Sequence, residues 1–450
     1  MTGTGRMGMP PWAMAGLALA AGLPTYAAGV EWPPGPDFFP VLPWSAQHGW
    51  TEPWVARSQG LDSIAECGFT MAGFVRPEDL PECERLGLKA IMFPDVPNVG
   101  TWSRQWRALS DEEIDDRIRT FVEQCGPSAA IMGYYIEDEP SAADFPALAR
   151  AVAAVGRYAP GKLAYINLFP DYATVGAPDT SQLGTQTYEE YLERYVDEVH
   201  PQFISYDNYM TQVSLDMVDD ARARSYYANL MAVRQAALNH GLPFWNIVSS
   251  NQIRPATTVP SPANLLLQAY TTLAAGGRGV SWYTYYSEGY AYAPVDEDGR
   301  RTPTWGYLRM VNDQLRGVGP TLNRLTSTGV FFTDGGPPGE LPKLPGRVVA
   351  GVGDSRSVMV GEFRDDNGAD YAMVVNLDLT ASLCLLLDTQ REHKRRAVLS
   401  PDSGAWLPLD EQSSLAIDPS FKGSHAPGGE AYRNGLWLTA GQGLLLRFGE

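Results

Sequence analysis

The sequence contains few histidines and cysteines, and their scarcity excludes several kinds of chemistry. Its five histidines show no metal-ligand spacing, and its four cysteines form no CxxC pair, so a structural zinc site is not expected. There is no GxSxG nucleophile elbow and no glycine-rich phosphate loop. We therefore predict that the protein uses neither a metal nor an organic cofactor.

Basic residues are also in the minority. The 34 Lys and Arg against 52 Asp and Glu give a formal net charge of −18, which argues against nucleic acid and anionic membrane surfaces as partners. Charged residues make up 19% and hydrophobic residues 44% of the 450 residues, as in a globular chain longer than one ordinary domain. The acidic charge balance and the 11% of aromatic residues favour a neutral carbohydrate as the ligand.

The N-terminus has the features of an export signal. Arg6 supplies the positive charge, Trp12 to Leu23 form a short apolar core, and Ala27 ends a small-residue cleavage site. The apolar run is short for a bilayer, so we expect no stable membrane insertion. We predict a signal peptide over residues 1–28 and a secreted or periplasmic protein. Three prolines in this segment fit poorly, and a retained N-terminal anchor is the alternative.

Two of the cysteines, Cys67 and Cys83, lie on consecutive predicted helices. They could form a disulfide if the protein meets an oxidising compartment. The alternative is that all four cysteines are small buried hydrophobic residues.

One stretch, residues 131–140 (IMGYYIEDEP), combines a buried strand with three consecutive acids. Its apolar start is typical of a strand buried on both faces, and Pro140 must end the strand because it cannot donate a ladder hydrogen bond. A serine and an aspartate three residues later predict a capped helix. Glu137, Asp138 and Glu139 therefore lie at the carboxyl end of a strand, where active sites collect in parallel α/β folds. The alternative is that these acids only cap the helix.

Strand-like runs alternate with helical patterns from residue 38 to residue 325. The eight runs are Phe38–Trp44, Phe69–Val75, Leu88–Pro94, residues 131–140, Leu163–Pro170, Phe203–Met210, Phe244–Asn251 and Gly279–Tyr286. Eight strand–helix units predict a (β/α)8 barrel over residues 29–325. A doubly wound sheet would place a glycine-rich loop after its first strand, and none is present. Short runs beyond Leu325 predict a small antiparallel β-sandwich over residues 326–450.

In such a barrel the carboxyl ends of the strands meet at one mouth. The residues expected there are carboxylates, amides and flat aromatics: Trp44, Glu137, Asp138, Glu139, Asn167, Tyr206, Asp207, Asn208, Tyr209, Trp245, Asn246, Tyr283, Tyr285 and Glu288. Aromatic faces stack on sugar rings, amides and acids bind hydroxyls, and two carboxyls can carry out hydrolysis. The alternatives are packing for part of the aromatics, and turn formation for the residues after strand six.

The sequence also resembles a known family. Asp138-Glu139-Pro140 resembles the Asn-Glu-Pro of the clan of retaining (β/α)8 glycoside hydrolases. Residues 164–170, 204–209 and 279–285 are similar to secreted bacterial β-galactosidase-like proteins of the family 42 type. The resemblance implies that Glu139 is the general acid/base, with Asp138 in place of the usual asparagine. It also implies a nucleophilic glutamate on strand seven, but residues 244–251 contain no acid.

These patterns predict a secreted glycoside hydrolase that cleaves an oligo- or polysaccharide with two carboxylates. Glu139 is the predicted acid and Asp207 the second carboxylate, with Glu288 and Asp138 as alternatives. One strand lies between strands four and six, so their backbones are expected about 8–10 Å apart. Because the strand-seven nucleophile is absent, we expect inversion, for which the carboxyls lie about 6.5–9.5 Å apart.

Two other functions remain open from the sequence. A non-catalytic glycan-binding barrel would explain the missing acid on strand seven. A metal-dependent lyase or aldolase is disfavoured, because the sequence shows neither a histidine-rich ligand set nor a central lysine. The sugar, the linkage and the oligomeric state are left open.

Overall fold

The structure is a computed structural model that describes residues 35–44, 60–94, 106–174, 181–214, 216–218, 220–337, 339–353, 357–393, 395–409 and 436–449. The predicted signal peptide lies outside these described residues, and export stays a prediction. Within the same ranges, no helix combines the length and the hydropathy needed to cross a bilayer.

Eight parallel strands form a sheet that curls into a nearly closed barrel. They are β1 (Val41–Pro43), β2 (Met71–Val75), β3 (Lys89–Met92), β4 (Ile131–Asp138), β5 (Leu163–Leu168), β6 (Ile204–Asp207), β7 (Phe244–Ser249) and β8 (Gly279–Tyr283). Strands β2 to β8 pair in sequence order, and β8 pairs with β1. Between β1 and the start of β2, the Thr70 amide donates to the Val41 carbonyl at 3.2 Å. The predicted (β/α)8 barrel is confirmed.

Helices connect the strands and surround the barrel. They are α1 (Leu61–Glu66), α2 (Leu80–Leu86), α3 (Asp111–Cys125), α4 (Phe145–Tyr158), α5 (Tyr188–Val199), α6 (Met210–Val213), α7 (Ala221–His240), α8 (Pro262–Ala274) and α9 (Pro303–Leu322). Helix α3 begins with a capping box, in which the Ser110 amide donates to the Glu113 carboxylate at 2.7 Å. Helix α7 begins at Ala221, because Asp220 caps it by accepting from the Arg222 amide at 2.9 Å.

Aromatic side chains fill the barrel interior. The Phe74 ring contacts Trp44 with ring centroids 4.8 Å apart and Tyr135 with centroids 4.9 Å apart. On the other side of the interior, Trp245 packs against Phe203 at 4.8 Å. These rings close the barrel below the strand ends, so the mouth has a floor.

The chain beyond α9 forms antiparallel sheets, as predicted. The strands are β9 (Thr326–Phe332), β10 (Val349–Val352), β11 (Val358–Arg364), β12 (Asp370–Asn376), β13 (Leu383–Leu385), β14 (Leu387–Thr389), β15 (Arg395–Leu399), β16 (Trp406–Leu409), β17 (Leu436–Leu438) and β18 (Gly443–Gly449). Six of them form one sheet in the order β16-β15-β18-β12-β11-β9, and two short pairs, β10 with β14 and β13 with β17, accompany it. The apolar runs that predict strands here are Val348–Val352, Val358–Phe363, Tyr371–Asn376, Leu383–Leu387, Leu436–Thr439 and Gly443–Phe448. They leave out β9, β15 and β16 and include only the first residue of β14.

The central strands β11 and β12 of the six-stranded sheet are buried on both faces. On β11, Val358 and Val360 belong to a core shared with the short strand pairs, whereas Met359 and Phe363 belong to the barrel core. The close approach to α8 needs a glycine at position 361, because a Cβ there would lie 2.0 Å from the carbonyl oxygen of Ala274. The β-rich part is thus packed directly onto the outside of the barrel.

All four cysteines are free thiols, so Cys67 and Cys83 do not form a disulfide. Both are fully buried, and burial raises the pKa of the Cys83 thiol to about 12. The cysteines of the barrel therefore act as small buried packing residues.

Candidate active site

Strand β4 ends at the barrel mouth, and a separate pair of residues caps the helical turn that follows. The Ser141 amide donates to the Asp144 carboxylate at 3.1 Å, and the Ser141 hydroxyl accepts from the Ala143 amide. This capping box, predicted from the sequence, satisfies the start of the helical segment. The capping side chains are therefore Ser141 and Asp144, and the acids before Pro140 are placed for another role.

Glu139 has an unusual backbone conformation. Its φ of 51° lies in the left-handed region, which is uncommon for residues other than glycine. The Glu139 amide donates to the Asn167 carbonyl at 2.9 Å, which continues the β4–β5 pairing and fixes the residue at the mouth. Glu288, beyond β8, also has a positive φ, of 47°. Backbone strain of this kind concentrates at functional sites.

The carboxyl groups of Glu139 and Asp207 lie within hydrogen-bonding distance of each other. Asp207 ends β6 and is 2% exposed. The side-chain amide of Asn167 on β5 donates to Asp207 at 2.9 Å and to Asp138 at 3.0 Å. The structure thus brings together four of the residues proposed from the sequence, and contact between two carboxyls requires a proton on one of them.

The enclosure raises the pKa of all three carboxyls. Burial, with a smaller contribution from the charge of Asp138, raises the pKa of Glu139 to about 7. Burial and the charges of Glu139 and Asp138 raise the pKa of Asp207 well above its ordinary range. Asp138 reaches solvent, but the protein surrounding it raises its pKa to about 6 against the opposing Asn167 hydrogen bond. Because adjacent like charges are unfavourable, the Glu139–Asp207 pair retains a proton near neutral pH.

Tyrosines form one wall of the mouth beside these acids. The Tyr209 and Tyr283 rings lie 5.2 Å apart at an interplanar angle of 33°, and the Tyr283 and Tyr290 hydroxyls are 3.0 Å apart. Tyr209 is close enough to Asp207 for that charge to raise the pKa of its phenol. Flat, half-buried rings beside carboxyls are suited to stacking on a sugar ring.

Two mouth residues were not predicted from the sequence. Tyr172 interacts electrostatically with both Asp207 and Glu139, and Tyr290 extends the tyrosine wall. Tyr172 lies in the turn Asp171–Thr174 after β5, and Tyr290 lies in the loop after β8. Both lie beyond the strand ends, and the signal for Tyr172 in the sequence is an aromatic residue in the turn directly after β5.

Glu137 and Glu288 lie beside the carboxyl pair without belonging to it. Glu137 is 5% exposed, and its carboxylate accepts from the Asp138 amide at 2.8 Å, which supports the end of β4. Glu288 lies on the rim, where its side chain reaches solvent but the surrounding protein removes enough water to raise its pKa to about 7. Its charge acts on Tyr283. Glu288 is therefore placed to contact a bound molecule at the edge of the mouth.

Several residues expected at the mouth face the surrounding helices instead. The Asn208 amide donates to Asn229 on α7 at 2.8 Å, and the Asn246 amide donates to Thr272 on α8 at 2.9 Å. Two tyrosines behave in the same way. Tyr206 lies beside Tyr226 and Tyr188, and the Tyr285 hydroxyl contacts Ser63 and Trp305. Side chains alternate along a strand, so the immediate neighbours of an inward residue point outward.

Trp44 and Trp245 face inward but lie in the floor. Trp44 is 4% exposed and packs on Phe74 and Tyr165, while Trp245 is fully buried against Phe203. Both rings therefore pack within the aromatic interior of the barrel.

The end of β7 is neutral and hydrogen-bonded. The Gln268 side chain accepts from the Ser249 amide at 2.9 Å and donates to the Ser249 carbonyl at 3.0 Å. The Gln212 amide donates to the Ser249 hydroxyl and to the Asn251 carbonyl. Neutral groups thus occupy the strand end where the resemblance implies a nucleophilic glutamate.

Comparison with known proteins establishes the class of fold. No sequence family matches the chain, and no curated protein matches it in sequence. Among solved structures, a glycoside hydrolase family 5 protein from Bacteroides vulgatus superimposes with a TM-score of 0.51 over 92% of this chain and 89% of its own, at 12% identity. The chain therefore has a fold found in glycoside hydrolases.

Two β-galactosidases give weaker superpositions. The enzyme from Marinomonas ef1 has a TM-score of 0.46 and 9% identity, over 64% of this chain. A family 42 β-galactosidase from G. stearothermophilus has a TM-score of 0.44 and 12% identity, also over 64% of this chain. The chain spans 62% and 58% of the lengths of these two proteins. The assignment to the family 42 type stays a prediction.

Proposed function

We propose that this protein is a glycoside hydrolase whose active site is the mouth of the barrel. The observation that carries the proposal is the contact between the Glu139 and Asp207 carboxyls. They come from different strands, their pKa values are raised, and tyrosine rings lie beside them. Two acids that share a proton next to a sugar-stacking surface meet the needs of glycosidic bond hydrolysis.

The surroundings of the two acids assign their roles. Asn167 donates to Asp207, and a hydrogen bond to a carboxylate favours its ionised form. The hydrogen bond between the two acids has the opposite effect, because it raises the pKa of Asp207 and lowers that of Glu139. Glu139 is the less enclosed of the two, and its pKa of about 7 allows it to give up a proton near neutral pH. Glu139 is the proposed general acid that protonates the departing glycosidic oxygen, and Asp207 is the proposed carboxylate that acts on the anomeric carbon.

The contact between the acids favours retention over the inversion expected from the sequence. Inversion needs a water between carboxyls about 6.5–9.5 Å apart, whereas retention uses carboxyls about 5–5.5 Å apart. In the first step Asp207 forms an ester with the anomeric carbon, the glycosidic C–O bond breaks, and the Glu139 proton goes to the leaving oxygen. In the second, Glu139 takes a proton from water, which attacks the anomeric carbon and releases Asp207.

The remaining mouth residues bind the sugar in this proposal. Tyr209 and Tyr283 provide a stacking surface, and Asp138 and Glu288 accept hydrogen bonds from hydroxyl groups. The charges that act on Glu139 and Asp207 come from carboxyls. Because carboxylates repel an acidic sugar, they favour a sugar without acidic groups.

The test is a screen of polysaccharides and aryl glycosides, with the anomer of the first product determined by NMR. We expect hydrolysis with retained configuration, and its loss in both Glu139→Gln and Asp207→Asn. Glu193→Gln is the matched control, because Glu193 pairs with His240 on the outer surface at 2.8 Å. Full activity in either mouth variant would remove that residue from the mechanism, and an inverted first product would exclude the covalent step.

A second candidate function is glycan binding without hydrolysis, and the neutral end of β7 favours it. Calorimetric titration with the oligosaccharides of the screen separates the two. Saturable binding to the unmodified protein without release of reducing ends would support the binding protein and contradict the hydrolase.

We also propose that the protein is exported, which is supported by the sequence of residues 1–28. The test is the N-terminal sequence of protein recovered outside the cytoplasm. A start near residue 28 is expected, and a protein retained in the cytoplasm with Met1 would contradict export.

A further inference from the structure

Behind the carboxyl pair, a chain of buried hydrogen bonds runs from the barrel interior to the acids. The Tyr165 hydroxyl lies 3.1 Å from the Ser205 hydroxyl, which donates to the Asn167 side-chain oxygen at 3.1 Å. The amide nitrogen of Asn167 then donates to both Asp207 and Asp138. Tyr165 and Ser205 are fully buried and Asn167 is 2% exposed, so the chain lies below the mouth.

We propose that Ser205 and Tyr165 are positioning residues, which hold the Asn167 side chain so that its amide donates to Asp207 and Asp138 at once and stabilises the ionised form of both carboxyls. This inference rests on the proposed function for its catalytic consequence. Its structural basis is independent of any substrate.

The direction of each hydrogen bond follows from the donors available. The Ser205 hydroxyl has one proton and donates it to Asn167, so the Tyr165 hydroxyl must donate to Ser205. With its oxygen held in this way, Asn167 presents both amide protons to the carboxyls. Without the serine hydroxyl, the buried Asn167 oxygen loses its donor and the hold on the amide weakens.

The consequence is a change in the acidity of Asp207. A weaker amide hydrogen bond stabilises the carboxylate less, so the pKa of Asp207 rises further. The titratable groups that interact with the pair from the surrounding elements are Asp138, Tyr135, Tyr165, Tyr172, Tyr188, Tyr191, Tyr206 and Tyr209. The phenols have raised pKa values and stay neutral below pH 9, so Asp138 is the neighbour that titrates together with the pair.

The experiment compares Ser205→Ala and Tyr165→Phe with the unmodified protein. Selectively 13C-labelled aspartate gives the titration of the Asp207 carboxyl by NMR, assigned from the signal lost in Asp207→Asn. We expect its midpoint to rise by about half to one pH unit in Ser205→Ala, and by less in Tyr165→Phe, which acts one bond further away. The acid limb of the kcat/KM profile should move by the same amount.

Ser63→Ala is the matched control. Ser63 is also fully buried and hydrogen-bonds a tyrosine hydroxyl, that of Tyr285 at 2.6 Å, but on the outer side of the barrel. It should lower stability without moving the Asp207 titration.

Titration midpoints unchanged within 0.2 pH unit in both Ser205→Ala and Tyr165→Phe, or an equal shift in Ser63→Ala, would overturn the inference. The NMR titration gives this answer even if Glu139→Gln retains full hydrolysis. That second result would remove the proposed catalytic roles and leave the positioning chain standing.

Discussion

Buried carboxylates in the β-rich region and at the barrel mouth have opposite surroundings. In the β-rich region, Glu362 is fully buried and accepts from the backbone amides of Arg347, Val348 and Val349 at 2.8–2.9 Å. At the barrel mouth, Glu139 and Asp207 face each other and Asp138, with the single amide of Asn167 shared between two of the three.

The same contrast holds for Asp370. Its side chain is 4% exposed and pairs with Arg347, Arg364 and Arg391 at 2.7, 3.3 and 3.2 Å. Burial alone would raise the pKa of Asp370, but the hydrogen bonds and charges of Arg347 and Arg364 outweigh it and lower the pKa. Burial therefore does not distinguish a structural acid from a candidate catalytic one. The number of donors and cations around the carboxylate does.

The largest expected effect of this difference is on activity. Glu139→Gln and Asp207→Asn should each lower kcat/KM by about 10³-fold, because an amide can neither donate the proton nor act as the carboxylate. Neither should lower the melting temperature, because each replaces a buried ionisable group by a neutral amide of the same size that can still hydrogen-bond the remaining carboxyl. Steady-state kinetics and calorimetry on the same preparations test this prediction. A variant that loses activity only because it unfolds would contradict it.

The next largest effect is on stability in the β-rich region. Glu362→Gln turns an amide donor toward backbone amides and should lower the free energy of unfolding by about 2–3 kcal/mol. The kcat of the folded fraction should not change. Chemical denaturation measures the loss, with exposed Glu193→Gln as reference. A loss no larger than that of the reference would mean that Glu362 is not structural.

Asp370→Asn should have a smaller effect, of about 1–2 kcal/mol, because its arginine partners are partly exposed and screened by solvent. The lowered pKa of Asp370 means that its contribution is present above its unfolded pKa and is lost as the pH falls through its folded pKa. Denaturation at pH 7 and at pH 3 should therefore show a smaller difference between variant and unmodified protein at pH 3. An equal difference at both pH values would contradict the ion-pair explanation.

The smallest expected effect is on the pH dependence of stability at the mouth, which has the opposite direction to that of Asp370. Because the folded pKa of Glu139 is raised to about 7, the folded state keeps a proton that the unfolded state releases near pH 4.5. Stability should therefore fall as the pH rises from about 4.5 to about 7, and this slope should be shallower in Glu139→Gln. Melting temperatures across this range measure the slope, and identical slopes in the two proteins would show that Glu139 is not enclosed.

The sequence predicts the elements of the barrel more completely than the residues of its mouth. Buried parallel strands are continuous apolar runs, and Pro140 and the Ser141 cap mark the end of β4 unambiguously. In the β-rich region, β15 begins with two exposed arginines, and β16 is four residues long with a proline inside it, so neither is a continuous apolar run. Both strands are stabilised by pairing with neighbouring strands. Such pairing cannot be recognised from the residues of a short segment alone.

The amino-acid sequence by itself determined that three acids leave the barrel at β4 and that β7 ends without one. Tertiary structure decided which side chains meet. The strand period separates inward Asp207 from its outward neighbours Tyr206 and Asn208, and the curvature of the barrel brings it against Glu139. Strand spacing gives only the separation of two backbones. The reach of the side chains and the amide of Asn167 set the separation of the carboxyls, and these depend on packing across the whole barrel.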